Sequence, residues 1–315
     1  MPPEFQQIAW DAAVEADCRQ IVRAAILEDL DTGYDWTSVA LVPPDAVGRA
    51  TIVARQSGVI AGLPAAAVAV AEMNATQSLV CHVSDGQAVE PGTPVATLSG
   101  SVLAILTAER TVLNLLGRMS GIASLAARYV AAVSGTKARI YDTRKTTAGW
   151  RRLEKYAVRQ GGACNHRLGL YDAILIKDNH LAFGAEAGGA ASYSPGKAVR
   201  QARQFLAETF AGDPRADMIV EVEVDSLEQL RQVLIERPDI VLLDNMPPEM
   251  LKAGVKLRDE LAAEVQLEAS GGVNLATVRS IAETGVDRIS VGALTHSAVV
   301  LDLGLDWQKA AGDVG

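Results

Sequence analysis

Phenylalanine, tyrosine and tryptophan together supply only 4% of this 315-residue sequence. A core must therefore be filled by alanine, valine, leucine and isoleucine, and with 49% hydrophobic residues there is enough for one large domain or two modest ones. Cysteine is scarce too: Cys18, Cys81 and Cys164 stand far apart with no C-x-x-C pair. That excludes a disulfide framework and a structural zinc cluster, and it fits a reducing, cytoplasmic compartment. Positive charge is in deficit, 29 basic against 38 acidic residues for a net −9, which argues against general binding to nucleic acid or to an anionic membrane. No unbroken apolar run approaches membrane-spanning length. The start, MPPEFQQIAWDAAVEAD, has no basic region leading into an apolar run, so no signal peptide is expected. Internal repeats, low-complexity tracts and obvious flexible linkers are also missing.

One stretch reverses the acidic balance. Within residues 142–181, Arg144, Lys145, Arg151, Arg152, Lys155, Arg159, Arg167 and Lys177 face only Asp142, Glu154, Asp172 and Asp178. Two β-like runs, 138–141 and 173–176, frame a helix over 150–160 that Gly161 and Gly162 would end. Arg144 and Lys145 follow the first strand and Lys177 follows the second, so cations from separate strands point at one end of one sheet. Arginine grips a carboxylate or phosphate with two prongs and lysine adds a point charge, which suits a ligand with several negative charges. Arg151, Arg152 and Arg159 read instead as a solvated helix face.

Along the chain, Val14, Cys18, Ile21, Val22, Ala25 and Ile26 predict an amphipathic helix over 11–30, with a polar loop after it. Short strands over 50–54 and 58–61, a helix from Pro64 to about Asn74 and further strands to residue 98 predict a sandwich-like α+β domain. Thr107 is the expected cap of a long helix running to Val133, with Gly117 and Gly121 as close-packing points and Met119 as core. Strand-like runs then begin near 138, 173, 218, 239, 265 and 287. Six βα units predict a parallel sheet closed into a small six-stranded α/β barrel resembling a TIM barrel. The longest interval, 182–217, holds the glycine-rich residues 184–189 and a helix over 195–210. The expected division is an N-terminal α+β domain, 1–118, and a catalytic barrel, 119–297, with the tail 298–315 packing back on the first.

Catalytic groups in α/β barrels lie at the carboxyl ends of the strands. Those ends read Asp142-Thr143-Arg144-Lys145, Lys177, Glu221 and Glu223, Asp244-Asn245, Ser270-Gly271-Gly272, and Gly292-Ala293. Glu221 and Glu223, two apart on a strand, share a face. Such carboxylates could accept from sugar hydroxyls or hold magnesium through water; a salt bridge to a nearby lysine is the structural alternative. Glycines after the last two strands would let backbone N–H groups approach a phosphate, or could be plain turns.

Thr143-Arg144-Lys145-Thr146, Asn165-His166-Arg167, and Leu175-Ile176-Lys177 with Asn179-His180 together resemble the signature of the quinolinate phosphoribosyltransferase family. Ala148 and Ala163 depart from that pattern, which has proline and glycine there; neither change removes a charge. The resemblance implies transfer of phosphoribose from phosphoribosyl pyrophosphate to quinolinate, with loss of pyrophosphate and CO2. It implies that Arg144, His166 and Arg167 hold the quinolinate carboxylates, helped by Arg110, within Glu109-Arg110-Thr111, reaching in from the partner subunit of a homodimer. It further implies Lys145 and Lys177 beside the leaving group, Glu223 and Asp244 as the ribose- and Mg2+-directed pair, and Ser270, Gly271, Gly272, Gly292, Ala293 and His296 around the phosphoribosyl phosphate. Three other readings were weighed: a Schiff-base lyase using Lys177, a non-catalytic binder of an anionic metabolite, and nicotinate as substrate. The first leaves the carboxylate pair unexplained, the second the intact charged motif, and the third the number of cations.

Overall fold

The computed structural model describes residues 4–73, 78–187 and 193–308. Asn74, Gly188 and Gly189, and the tail beyond residue 308, all covered by the expectations above, lie outside the described residues. In chain order the main elements begin with α1 (Ala12–Leu30), α2 (Trp36–Leu41), β1 (Val47–Ala54), β2 (Gly58–Val59), α3 (Leu63–Met73), β3 (Ser78–Cys81), β4 (Ala88–Val89), β5 (Pro94–Ser101) and α4 (Val102–Ala132). They continue with β6 (Arg139–Tyr141), α5 (Arg151–Gln160), β7 (Ile174–Ile176), α6 (Asp178–Ala187), α7 (Pro195–Thr209), β8 (Val220–Val224) and α8 (Leu227–Leu234). Last come β9 (Ile240–Asp244), α9 (Pro248–Leu261), β10 (Gln266–Ser270), α10 (Val278–Ala282), β11 (Arg288–Ser290), α11 (Ala293–His296) and β12 (Leu303–Trp307).

Two compact units form, neither continuous in sequence. The parallel-sheet unit comprises Met1–Gln7, Tyr129–Arg144 and Ala163–Ala293; the α+β unit comprises Ile8–Arg128, Lys145–Gly162 and Leu294–Gly315. This partition differs from the expected break at 118/119, which falls in the middle of α4, an unbroken helix that leaves no linker there.

In the α+β unit, Asp11 caps α1 by accepting from the backbone N–H of Ala13 and Val14. The loop expected after α1 instead contains α2, because Asp35 caps it through the N–H of Ser38. A four-stranded antiparallel sheet runs β12-β1-β5-β3, so residues 303–307 of the tail pair with β1. Helix α4 starts at Val102 rather than at Thr107: the Thr107 hydroxyl donates to the Leu103 carbonyl one turn back, inside the helix. Met119 is fully buried in it. A Cβ at Gly121 would lie 2.1 Å from the Val299 carbonyl oxygen, so glycine there admits the returning chain, which also hydrogen-bonds from Leu301 N–H to the Gly117 carbonyl at 2.9 Å.

Helix α5 corrects another expectation. It is not a solvated face: residues 153–158 are all buried, Lys155 among them, and Arg151, Arg152 and Arg159 are half-buried. Arg152 pairs with Asp17 at 2.8 Å and Arg151 donates to the Thr146 hydroxyl at 3.1 Å.

The parallel-sheet unit has strands at all six expected places, in the order β6-β11-β10-β9-β8-β7 and with parallel registers throughout. Ile240, Val241, Leu242 and Leu243 are all buried, as expected for a strand covered on both faces. Among the described residues no ladder joins β6 to β7. The outer edge of β6 is instead met at a single bridge by Cys164, whose N–H donates to the Ile140 carbonyl at 2.8 Å and whose carbonyl accepts from Asp142 N–H at 3.0 Å. The barrel-like sheet thus places six carboxyl ends on one rim.

Candidate active site

The turn Asn165-His166-Arg167 is fixed by a buried carboxylate. Asp142, the residue after β6, is fully buried and accepts from Asn165 Nδ2 at 2.7 Å and from the His166 backbone N–H at 2.8 Å. An ionised carboxylate is stabilised by such N–H donors, which tie the turn to the strand end.

His166 then reaches into the sheet interior. Its Nε2 lies 3.1 Å from Glu221 Oε2 and 3.5 Å from Glu268 Oε1, while its Nδ1 accepts the Arg167 N–H at 2.8 Å. Both glutamates are fully buried, and Arg288, also buried, donates from Nε to Glu268 Oε2 at 3.1 Å. Burial alone would lower the His166 pKa, but attraction from Glu221 and then Glu268 outweighs it and the pKa is raised. As drawn, with Nδ1 accepting, the ring carries its proton on Nε2; the charged ring requires that contact to open. Burial raises the Glu268 pKa, with Glu221 adding to the effect and His166 and Arg288 opposing it. His166, Glu221 and Glu268 are also the one trio of potential metal ligands among the described residues. The Arg288 guanidinium already supplies a countercharge there, so the group reads as an ion cluster.

Two further guanidinium groups, of Arg144 and Arg167, follow β6 and the turn. Arg167 is buried, and burial followed by repulsion from Arg144 lowers its pKa. Its Nη1 donates to the Ala173 carbonyl at 3.2 Å, while Arg144 Nε is buried with no hydrogen-bond partner. Glu221 and Asp172 act against both effects on Arg167, and Arg144 as a whole is only half-buried.

The remaining strand ends supply both signs. Lys177 Nζ donates to Glu223 Oε2 at 2.5 Å, so the lysine salt bridge weighed for this carboxylate is present. The Lys177 backbone N–H donates to His180 Nδ1 at 2.9 Å, which gives the Asn179-His180 part of the motif a structural use at the start of α6. Asp244, half-exposed, accepts from Asn245 Nδ2 at 2.9 Å. Asn245 N–H in turn donates to the Ser270 carbonyl at 2.9 Å. At Gly271, with φ +98°, a Cβ would lie 2.1 Å from Asn245 Oδ1, so only glycine lets these two loops meet. Gly292 and Ala293 follow β11, next to β10 in the sheet.

Lys145, His296 and Arg110 belong to the α+β unit. There Thr295, fully buried, donates its hydroxyl to the Lys145 carbonyl at 2.8 Å. Arg118 donates to the Thr295 and Ala298 carbonyls at 2.6 and 3.2 Å and to Glu154 Oε1 at 2.7 Å. Buried Glu154 accepts both the hydroxyl and the N–H of Thr147. The Lys145 and His296 loops are thereby cross-linked. Arg110 is exposed on α4.

Two family models divide the chain at residue 121, inside α4 and close to the expected 118/119 break, rather than along the two interleaved units. The quinolinate phosphoribosyl transferase N-terminal domain matches residues 35–120 and the C-terminal domain matches 122–306. The chain belongs to the quinolinate phosphoribosyltransferase family. A nicotinate-nucleotide pyrophosphorylase (carboxylating) of Mycobacterium leprae is 45% identical over 290 residues, 91% of this chain and 96% of that protein. A probable enzyme of the same name from Bacillus subtilis is 38% identical, covering 91% and 92%. The solved nicotinate-nucleotide pyrophosphorylase of Francisella tularensis superposes with a TM-score of 0.85 at 34% identity, over 97% of this chain and all of that one.

Sequence reasoning missed Asp142 as an anchor, the Glu268–Arg288 pair, and the Arg118–Glu154 cross-link. Single charged residues inside otherwise apolar strands, as in Leu267-Glu268-Ala269, were the available signal. A test follows from the ion cluster. Glu268→Gln removes one of the two charges holding the His166 pKa up, so the midpoint should fall. Imidazole NMR can follow it, since the chain has only 4 histidines; an unchanged midpoint would contradict the cluster's role.

Proposed function

We propose that the Arg144–Arg167 pair is the dicarboxylate-reading heart of a quinolinate phosphoribosyltransferase. The enzyme joins the pyridine nitrogen of quinolinate to the ribose of phosphoribosyl pyrophosphate and releases pyrophosphate, CO2 and nicotinate mononucleotide, a step of NAD biosynthesis. The observation that carries the site assignment is a buried Arg167 beside a half-buried Arg144 whose buried Nε has no protein partner. Quinolinate's adjacent carboxylates would satisfy it, with His166 beside Arg167 and Arg110 of a second subunit completing the shell. Thr143 is half-buried just before Arg144 and would line the same pocket.

Positive charge builds on the ribose as pyrophosphate leaves, and Glu223 and Asp244, near the ends of the neighbouring strands β8 and β9, would favour it. Lys145 and Lys177 would offset the charge of the leaving group. Lys177 would exchange its Glu223 partner for phosphate oxygen, which frees the carboxylate for ribose. Ser270, Gly271, Gly272, Gly292, Ala293 and His296 would hold the 5-phosphate. Ribosylation makes the ring nitrogen cationic, so it stabilises the electron pair left on C2 when the C–C bond breaks and CO2 leaves, and a proton from water then takes the place of CO2 on C2. Magnesium fits as a partner of Glu223 and Asp244: two part-exposed carboxylates are too few for an all-protein cage but suit an ion that keeps its water and substrate phosphates. When bound it would neutralise the pyrophosphate.

A Schiff-base role for Lys177 fits less well, because its side chain is 43% exposed and ion-paired rather than desolvated. A homodimer with shared sites is supported by exposed apolar side chains on each unit, Tyr34, Trp36 and Leu41 on one, Leu170 and Tyr171 on the other. No described helix is long and apolar enough to cross a membrane, and the three free cysteines suit the cytoplasm.

With phosphoribosyl pyrophosphate and magnesium, quinolinate should yield CO2 and mononucleotide, and nicotinate should be a very poor substrate. Equal turnover of the two would refute the dicarboxylate assignment. The shared site has its own test, in which inactive Arg110→Ala and Lys145→Ala proteins are mixed under subunit exchange. About half the dimers are then mixed, each with one intact site, so roughly a quarter of wild-type activity should return. No recovery, with mixed dimers shown to form, would place Arg110 outside the partner's site.

A further inference from the structure

Residues 4–7 precede both stretches matched by the family models, 35–120 and 122–306, and form no helix or strand. They nevertheless bear on the Asn165-His166-Arg167 turn through two residues and on β6 through a third. Phe5, 4% exposed, stacks on the His166 ring with centroids 4.3 Å apart and planes inclined by 30°. Gln7 makes a reciprocal pair with the Asn165 backbone, its Nε2 donating to the carbonyl at 3.0 Å and its Oε1 accepting the N–H at 2.8 Å. Glu4 Oε2 accepts from Arg139 Nη1 and from the Tyr141 hydroxyl, each at 2.7 Å, which anchors the segment to β6.

These contacts have a chemical consequence. The edge of the His166 ring is set by Glu221 and Glu268, but a ring also needs a face against which it cannot tilt. Phe5 supplies that face. Asp142 fixes the turn through Asn165 Nδ2 and His166 N–H, while Gln7 fixes the backbone one residue earlier, so together they leave the turn no freedom to slide along β6. Phe5 also packs with Ala173, Ile219 and Ile240 at the amino ends of β7, β8 and β9, which ties the strap to the sheet floor.

We propose that Glu4–Gln7 is a positioning strap for the carboxylate-reading turn, with Phe5 and Gln7 as positioning residues that set His166 and Arg167 for quinolinate. The inference rests on the functional reading above. A strap that merely plugs the floor would affect stability, or both substrates alike; a positioning strap acts on one substrate.

The test is steady-state kinetics on full-length Gln7→Ala and Phe5→Leu, with thermal melting of each as a folding control. Gln7→Ala loses two hydrogen bonds to the turn, and KM for quinolinate should rise about tenfold. KM for phosphoribosyl pyrophosphate should stay within about twofold. Phe5→Leu keeps an apolar plug but loses the flat face, so it should show the same split, and Phe5→Tyr should restore the wild-type value. Wild-type KM values in both Gln7→Ala and Phe5→Leu, or equal rises for both substrates, would overturn the strap while leaving the reaction intact. A wild-type enzyme that does not turn over quinolinate would overturn the functional reading and the strap with it.

Discussion

Arg144 and Arg167 repel each other beside the end of β6, the first half-buried and the second buried. Burial and the neighbouring guanidinium both disfavour the charge on Arg167, yet arginine stays charged across the physiological range. A protein keeps such an arrangement only where the surroundings over-determine it, since the same residues in open solvent would move apart. Everything around the pair has that holding function. Asp142 pins the turn before Arg167, the sheet rim fixes the point where β6 ends, and His166, Glu221, Glu268 and Arg288 pack together in the sheet interior.

The division of labour follows from this constraint. Carboxylates deep in the sheet, Glu221 and Glu268, are already engaged with His166 and Arg288 and give support. Those nearer the rim, Glu223 and Asp244, have partners that can be exchanged: a half-exposed lysine and a neighbouring asparagine. Two residues along β8 separate Glu221, enclosed with His166, from Glu223, paired with Lys177 nearer the rim, because the strand's alternation puts both on one face but at different depths. Within the α+β unit, Arg118 and Glu154 hold the loops carrying Lys145 and His296.

Much of this was legible in the chain, and the reason is locality. The run Ile240-Val241-Leu242-Leu243 followed by Asp244 announces a buried parallel strand and its polar carboxyl end within five residues. The cations after β6 and β7 are equally local, and the motif around them led to the family. Gly117 and Gly121 signalled a close approach, although not that residues 299–301 make it. What stayed hidden depends on long-range packing. Arg151, Arg152 and Arg159 read as a solvated face in sequence and are half-buried in α5. Phe5 finds His166 from 161 positions away, with no periodicity to announce it. Thr107 has the chemistry of a cap, but apolar residues before it extend α4 by a turn and turn its hydroxyl inward.

The central claim is that the guanidinium pair is held at a cost to stability so that it can take a dicarboxylate. Thermal melting of Arg167→Met with and without quinolinate tests it most directly. Methionine keeps the volume and removes the repelled charge, so the ligand-free variant should melt at or above the wild-type temperature. Quinolinate should stabilise the wild type but not the variant, since losing the arginine–carboxylate contact weakens binding by about 2–4 kcal/mol. A variant that melts lower without ligand and still gains stability from quinolinate would contradict the account.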